Sequence, residues 1–386
     1  MKILTLFLTF WLCAIAGGNG LAAPIDFEGT SGPKTPAKKK DDEIRKALAE
    51  AASTRVENIV QIAAGGNHTV VLRKDGVALA WGENSSGQLN GTFGKDSSSP
   101  VVAPAGPYDR IAAGGSFTVG VKRDGTLWVW GQQVAGGDAT GKRSEPRNVP
   151  IAGHIADIAA GGQHVLVLMT DGAVWAWGGN QFGQVGDGTT VPRSTPMHIG
   201  TGFSKIAAGA AHSLAVSLEG VLYAWGNNEL GQVGIAKLDD VTTPREIGRE
   251  FASIAAGRNH SLAIKRNGSL MAWGDNQSGQ LGIASASPQT LPVKVADGND
   301  WVVIAAGGNH SLGLRAKEGL FAWGANEEGQ LGLGTTTNAA MPTKVEGAFV
   351  SIAAGGYHSL ARKDSGIVWV WGAQPSGKAL SSPRAM

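Results

Sequence analysis

The chain has 386 residues, and its 33 Lys+Arg against 31 Asp+Glu leave a formal charge of +2, too near neutral to argue for a nucleic-acid partner. A 42% hydrophobic content and a mean hydropathy of −0.04 describe a soluble globular chain, and 58 glycines against 3 tyrosines point to many short strands joined by turns. The single cysteine, Cys13, excludes a disulfide framework.

Met1-Lys2 is followed by an apolar run over residues 3–16 and then by the small residues Gly17, Gly18, Gly20, Ala22 and Ala23. A short positive start, an apolar stretch too brief to span a bilayer and a small-residue exit describe a Sec-type signal peptide over residues 1–22. Gly20 and Ala22 supply the small residues that cleavage after Ala22 needs. The mature chain is therefore expected to be secreted or periplasmic, without thiol and without membrane insertion. Residues 23–53 read as a flexible linker: Gly32-Pro33, Pro36 and Lys38-Lys39-Lys40 are polar or turn-forming. Ile44 and Leu48 within it share one face of a short helix expected over residues 41–52.

From residue 54 the chain repeats itself. Ile62-Ala63-Ala64-Gly65-Gly66-Asn67-His68 returns in close copies at Ile111, Ile158, Ile206, Ile254, Ile304 and Ile352, in steps of 49, 47, 48, 48, 50 and 48 residues. Nineteen residues after each isoleucine comes a tryptophan followed by glycine, at Trp81, Trp130, Trp177, Trp225, Trp273, Trp323 and Trp371. A fixed period of this size means a repeat architecture. Within one unit, Ile206-Ala207-Ala208-Gly209 is short and small, as suits strands converging on an axis. The segments 212–216 and 221–225 alternate in character and flank Glu219-Gly220, replaced elsewhere by Asp75-Gly76, Asp124-Gly125 and Asn267-Gly268, the chemistry of a tight hairpin. A glycine-punctuated loop follows, and then an outer strand around Thr243-Pro244-Arg245, where a free edge tolerates proline. Four short strands in each of seven units predict an all-β, seven-bladed β-propeller over residues 54–386. The last unit ends in Ser382-Pro383-Arg384, like the start of an outer strand, while the first begins near Thr54 without one. The ring is therefore expected to close by pairing N- and C-terminal segments in a shared blade, which disfavours the competing open solenoid.

The combination Ile-Ala-Ala-Gly-Gly-x-His-Ser-Leu, Asp-Gly and Trp-Gly-x-Asn-x-x-Gly-Gln-Leu-Gly resembles the repeat of the regulator of chromosome condensation family. The resemblance implies a propeller that grips another protein with one face of the ring. Its members include a nuclear guanine-nucleotide exchange factor for a small GTPase, domains of ubiquitin ligases and secreted bacterial inhibitors of β-lactamases. By resemblance, the inhibitors use loop-tip positions and the position before the repeat histidine.

The residues themselves offer little chemistry. His68, His164, His212, His260, His310 and His358 occupy one repeat position, which distributes them one per blade instead of around one ion, so they read as structural bonds to a neighbouring blade. The seven tryptophans read as packing between blades. Gly136 to Lys142 has the spacing of a phosphate loop, but Arg143 stands where Ser or Thr is required. No enzymatic activity, cofactor or metal is expected. Recognition should lie where repeats disagree or where loop tips carry apolar groups. In the second unit Phe117 replaces the histidine, and Gln132-Gln133 open a loop unlike the others. Phe182 and Leu230 sit between Asn and Gly-Gln at loop tips, and Tyr357 precedes the seventh histidine. Phe117, Gln132, Gln133, Phe182, Leu230 and Tyr357 are the partner-binding candidates of an expected monomer that binds a protein. The seventh, first and second units, consecutive in a closed ring, form the expected contact sector. Nucleotide exchange on a small GTPase, and carbohydrate binding or hydrolysis through groups such as Trp128, are the alternatives.

Overall fold

The computed structural model describes residues 54–132, 145–375 and 377–386. The expected signal peptide, the linker with its helix, the phosphate-loop look-alike and Gln133 lie outside them. The regular elements among the described residues are 28 strands in seven four-stranded antiparallel sheets. The first blade sets the pattern: β1 (Ile59–Ala64), β2 (His68–Arg73), β3 (Ala78–Gly82) and β4 (Ser97–Val102), in that spatial order from the axis outward. The other six blades span residues 108–149, 155–200, 203–248, 251–294, 301–345 and 351–385.

Each element follows from its residues. β2 pairs with β3 from His68 opposite Gly82 to Leu72 opposite Ala78, and Gly76 at φ 92° supplies the left-handed turn position between them. The Asp75 carboxylate accepts the Val77 N–H and fastens that turn. Although β2-type strands alternate in character, nearly every one of their residues is buried, because both faces of a blade pack against neighbours. Outer strands are half-buried to exposed, and Pro100, Pro196, Pro244, Pro292, Pro342 and Pro383 all lie in them.

The core is divided among the blade–blade interfaces. Seven apolar clusters occur, and each contains one of the seven Trp-Gly tryptophans, as the packing reading requires. At the axis, backbone N–H groups of Gly66, Gly115, Gly162, Ala210, Arg258, Gly308 and Gly356 bond the carbonyls of Gly114, Gly161, Gly209, Gly257, Gly307, Gly355 and Gly65, a circuit that returns to its start. That approach needs glycine: a Cβ on Gly209 would stand 2.3 Å from His212 Cε1 and 2.5 Å from the Gly257 oxygen.

This circuit corrects the expected closure. No blade is shared between the chain ends, because the first repeat already owns an outer strand, β4, with its proline at position 100. Among the described residues the first strand is the inner strand of one blade and the last is the outer strand of another, so no sheet is left short of a strand. At the axis the seventh and first blades meet as the other pairs do, through Gly356 N–H to Gly65, and beyond it through the cluster of Ile59, Ile62, Leu360 and Val370.

Candidate functional site: the loop face and the closure seam

The β1–β2 and β3–β4 connections emerge on one face of the ring, since His68 at the start of β2 lies opposite Gly82 at the end of β3. Beneath this face runs a repeated relay. In five interfaces a Ser or Thr hydroxyl (Thr118, Ser213, Ser261, Ser311, Ser359) donates to a glutamine backbone carbonyl of the preceding blade at 2.7–2.8 Å. The same carbonyl of Gln88, Gln184, Gln232, Gln280 or Gln330 accepts the indole N–H of the following blade's tryptophan. The hydroxyl proton being committed, its lone pair must accept from histidine Nε2–H, at 2.8–3.0 Å for His68, His164, His212, His260 and His310. These five imidazoles are thus Nε2–H tautomers, and their Nδ1 atoms are buried without a partner. Burial opposes their protonation and pushes His68, His212, His260 and His310 down to about 3, and His164 and His358 to about 4. The histidines bridge neighbouring blades, as the repeat position implied.

Above the relay the loops are locked by their own side chains. The Asn228 carbonyl oxygen accepts Val233 N–H at 3.0 Å and its NH2 reaches the Lys237 and Asp239 carbonyls, while Gln232 Oε1 holds Leu230 N–H. Asn84, Asn180, Asn276 and Asn326 accept the corresponding N–H in their blades. The tips Gln181, Glu229, Gln277 and Glu327 are exposed on these fixed frames, and Phe182 and Leu230 are half-buried beside them.

The candidates separate accordingly. Phe117 is no surface residue: it is 1% exposed and packs against Val165, the residue that replaces the usual serine of the next blade. An apolar pair stands there in place of the His–hydroxyl pair, which explains the substitution without a partner. Gln132 is exposed where its loop leaves the third strand. Tyr357 is 41% exposed, and Arg258, two blades away, lies across the axial mouth with Cζ 5.8 Å from the tyrosine ring and Nη2 donating to Tyr357 Oη at 3.4 Å. Arg258 belongs among the candidates but escaped the sequence reading. Its signal was present, since it interrupts the series Gly66, Gly115, Gly162, Ala210, Gly308, Gly356. Trp128 is half-buried, with Lys122 Nζ 4.1 Å from its ring centre and its indole N–H on Thr126. Exposed apolar side chains occur on both faces, Phe93, Val191 and Leu238 on the loop side and Leu218 and Ile367 on the other. Exposure alone therefore does not choose a face.

Between the seventh and first blades the loop face opens into a cavity of 340 Å³ that includes Thr69, Trp81, Glu83, Asp96, His358 and Pro375 in its wall. The sequence of the seventh unit has no Gly-Gln-Leu there: Gln374-Pro375 follow the third strand, and the outer strand begins at Leu380.

The RCC1-like domain matches residues 28–346, and the regulator of chromosome condensation (RCC1) repeat matches residues 349–377. The chain belongs to the RCC1-like family. Among solved structures, Prp20p of Saccharomyces cerevisiae, described with its binding properties to Gsp1p and histones, is similar at 26% identity and a TM-score of 0.72 over 78% of this chain and 82% of its own. Human WBSCR16 superposes with a TM-score of 0.71 at 22% identity, over 80% of this chain and 88% of its own. The receptor kinase CR4 ectodomain of Physcomitrella patens gives 0.55 at 21%, over 81% and 74%. These last two share the fold. No curated protein sequence matches the chain. In this RCC1-like chain the hydroxyl–glutamine–tryptophan relay recurs at every interface except two, those of Phe117 and of the seam.

Proposed function

We propose that this RCC1-like propeller is a secreted or periplasmic binding protein that holds a protein partner on its loop face and carries out no reaction itself. The observation that supports the reading is the division of labour in each loop. Asn and Gln side chains fix the backbone from within, so tip residues vary without disturbing the frame, and a rigid frame lowers the ordering cost of binding. Phe182, Leu230 and the Arg258–Tyr357 pair are the anchors on that frame, aromatic residues and arginine being those that dominate interface energies. The residues of the signal-like start carry the localisation.

Affinity capture from envelope and culture fluid with the mature chain, set against Phe182→Ala/Leu230→Ala/Tyr357→Ala, tests the reading. Loss of a captured protein, with affinity down about 10- to 100-fold for a loss of 1.4–2.8 kcal/mol, is the expected result. An identical set of captured proteins would overturn it. Similarity to Prp20p favours a second reading, nucleotide exchange on a small GTPase. Accelerated release of bound guanine nucleotide by the purified chain, and its presence in the cytosol with residues 1–22 intact, would establish that reading instead.

A further inference from the structure

The two interfaces whose preceding unit lacks the sequence Gly-Gln-Leu or Gly-Gln-Val differ in what remains. Beside Phe117 the hydroxyl is gone as well, replaced by Val165, and of the donors only the Trp177 indole N–H remains, buried and without a partner among the described residues. At the seam the donors are all still there. Thr69 is 2% exposed and Trp81 3%, both line the cavity, and neither has the backbone carbonyl that the equivalent residues bond in five other interfaces. Among the described residues Thr69 Oγ1 bonds only His358 Nε2, at 3.0 Å, and the Trp81 indole N–H finds no acceptor. The apolar loop residue is missing too: Leu89, Val185, Val233, Leu281 and Leu331 each enter their cluster, while the seam cluster has no counterpart.

Two carboxylates border the gap. Glu83 accepts Asn67 Nδ2 at 3.2 Å and Ser85 Oγ at 2.5 Å, and Asp96 accepts the Asn84 N–H. The cavity wall contains no lysine, and no arginine, among the described residues. Both hydrogen-bond donors and unneutralised negative charge therefore face a space whose form the rest of the ring defines.

We propose that this seam cavity is a docking site for a glycine-containing turn of a partner protein. The turn puts one backbone carbonyl between Thr69 Oγ1 and Trp81 Nε1, an apolar side chain on the indole face and a basic side chain beside Glu83 and Asp96. With the turn in place the Thr69 hydroxyl donates to the incoming carbonyl and its lone pair accepts His358 Nε2–H, His358 standing in the same Nε2–H tautomer as the other five histidines, so the seventh interface acquires the hydrogen bonding of the other five. At 340 Å³ the cavity is the size of a small ligand site, room for the core of a turn and not for a folded element. The site specifies where the loop face grips its partner, and so rests on the protein-binding reading above.

Titration calorimetry of the mature chain with the capped peptides Asn-Gln-Phe-Gly-Gln-Val-Gly and Asn-Lys-Phe-Gly-Gln-Val-Gly, the first being this chain's own third loop, reads the site directly. Both peptides are expected to bind with one-to-one stoichiometry, the lysine peptide more tightly. Thr69→Val should weaken both by about tenfold, the loss of roughly one hydrogen bond, and Glu83→Gln should erase the preference for lysine. Since Thr69→Val also loses the His358 bond, a second variant replaces residues 373–378 with the sequence of residues 325–332. This graft fills the seam from within, and it is expected to abolish binding and raise the melting temperature. Absence of binding at millimolar peptide, undiminished binding to the graft, or equal binding of lysine amide alone would each overturn the proposal. If peptide binding fails while capture still depends on Phe182, Leu230 and Tyr357, the seam site falls and the loop-face reading stands.

Discussion

At the scale of single residues, the buried imidazole is the clearest energetic feature. Six histidines that titrate near 6.5 in an unfolded chain are pushed down to about 3 or about 4 here, chiefly by desolvation. Above pH 6.5 both states leave them neutral and folding carries no proton penalty. As pH falls below 6.5 the unfolded chain takes up protons that the native ring refuses, so stability declines through the whole window down to about 3–4, by about 1.4 kcal/mol per pH unit for each histidine. Denaturant titrations between pH 7.5 and 5, pH values chosen to straddle the ordinary histidine range, should show this loss together with proton uptake on unfolding. The Phe117–Val165 interface supplies the control. His212→Phe/Ser261→Val copies it, and the pair should shallow the pH dependence by one histidine's share. His212→Phe alone should cost more at neutral pH than the pair, because it leaves Ser261 without its donor.

At the scale of the element, the loop between third and outer strands behaves as a preformed turn held by one asparagine. Asn228 is fully buried and makes three bonds, to Val233 N–H and to the Lys237 and Asp239 carbonyls. Asn228→Ala should cost about 3 kcal/mol by denaturant unfolding, the sum of three buried bonds at about 1 kcal/mol each. Amide exchange should rise over residues 229–241 while the strands stay protected. Exchange spread evenly over the blade would show that the loop is held by the sheet and not by the asparagine. The loops were legible in outline from Asn-x-x-Gly-Gln. The reason for the glutamine was not, because its backbone carbonyl serves a tryptophan about 41 residues further on, in another blade.

At the scale of the whole molecule, every blade is a contiguous segment and the ring is sealed by interfaces alone. The last strand, ending at Ala385, and the first, beginning at Ile59, stand in the relation of any outer strand to the next inner one, a gap the chain elsewhere spans with two residues (between Gly200 and Phe203) to six (between Lys294 and Trp301). A circular permutant beginning at Phe203, with Ala385 joined to Ile59 through residues 54–58, should therefore fold and melt within about 3 °C of the parent, under about 2 kcal/mol for a protein this size. Failure to fold would show that the ends contribute more to closure than packing and the Gly356–Gly65 bond.

The sequence by itself determined the period, the number of blades, the hairpin turns and the structural role of histidine and tryptophan. These properties are local or repeat every 48 residues or so, and hydrophobic pattern and turn chemistry write them along the chain. Only the tertiary structure decided how the ring closes, that Phe117 faces inward, that Arg258 meets Tyr357 across the mouth, and that the seam keeps two donors without their carbonyl. Each of these depends on which residue of one blade stands opposite which residue of another. Side chains far apart along the chain acquire that relation only when seven sheets converge on a common axis.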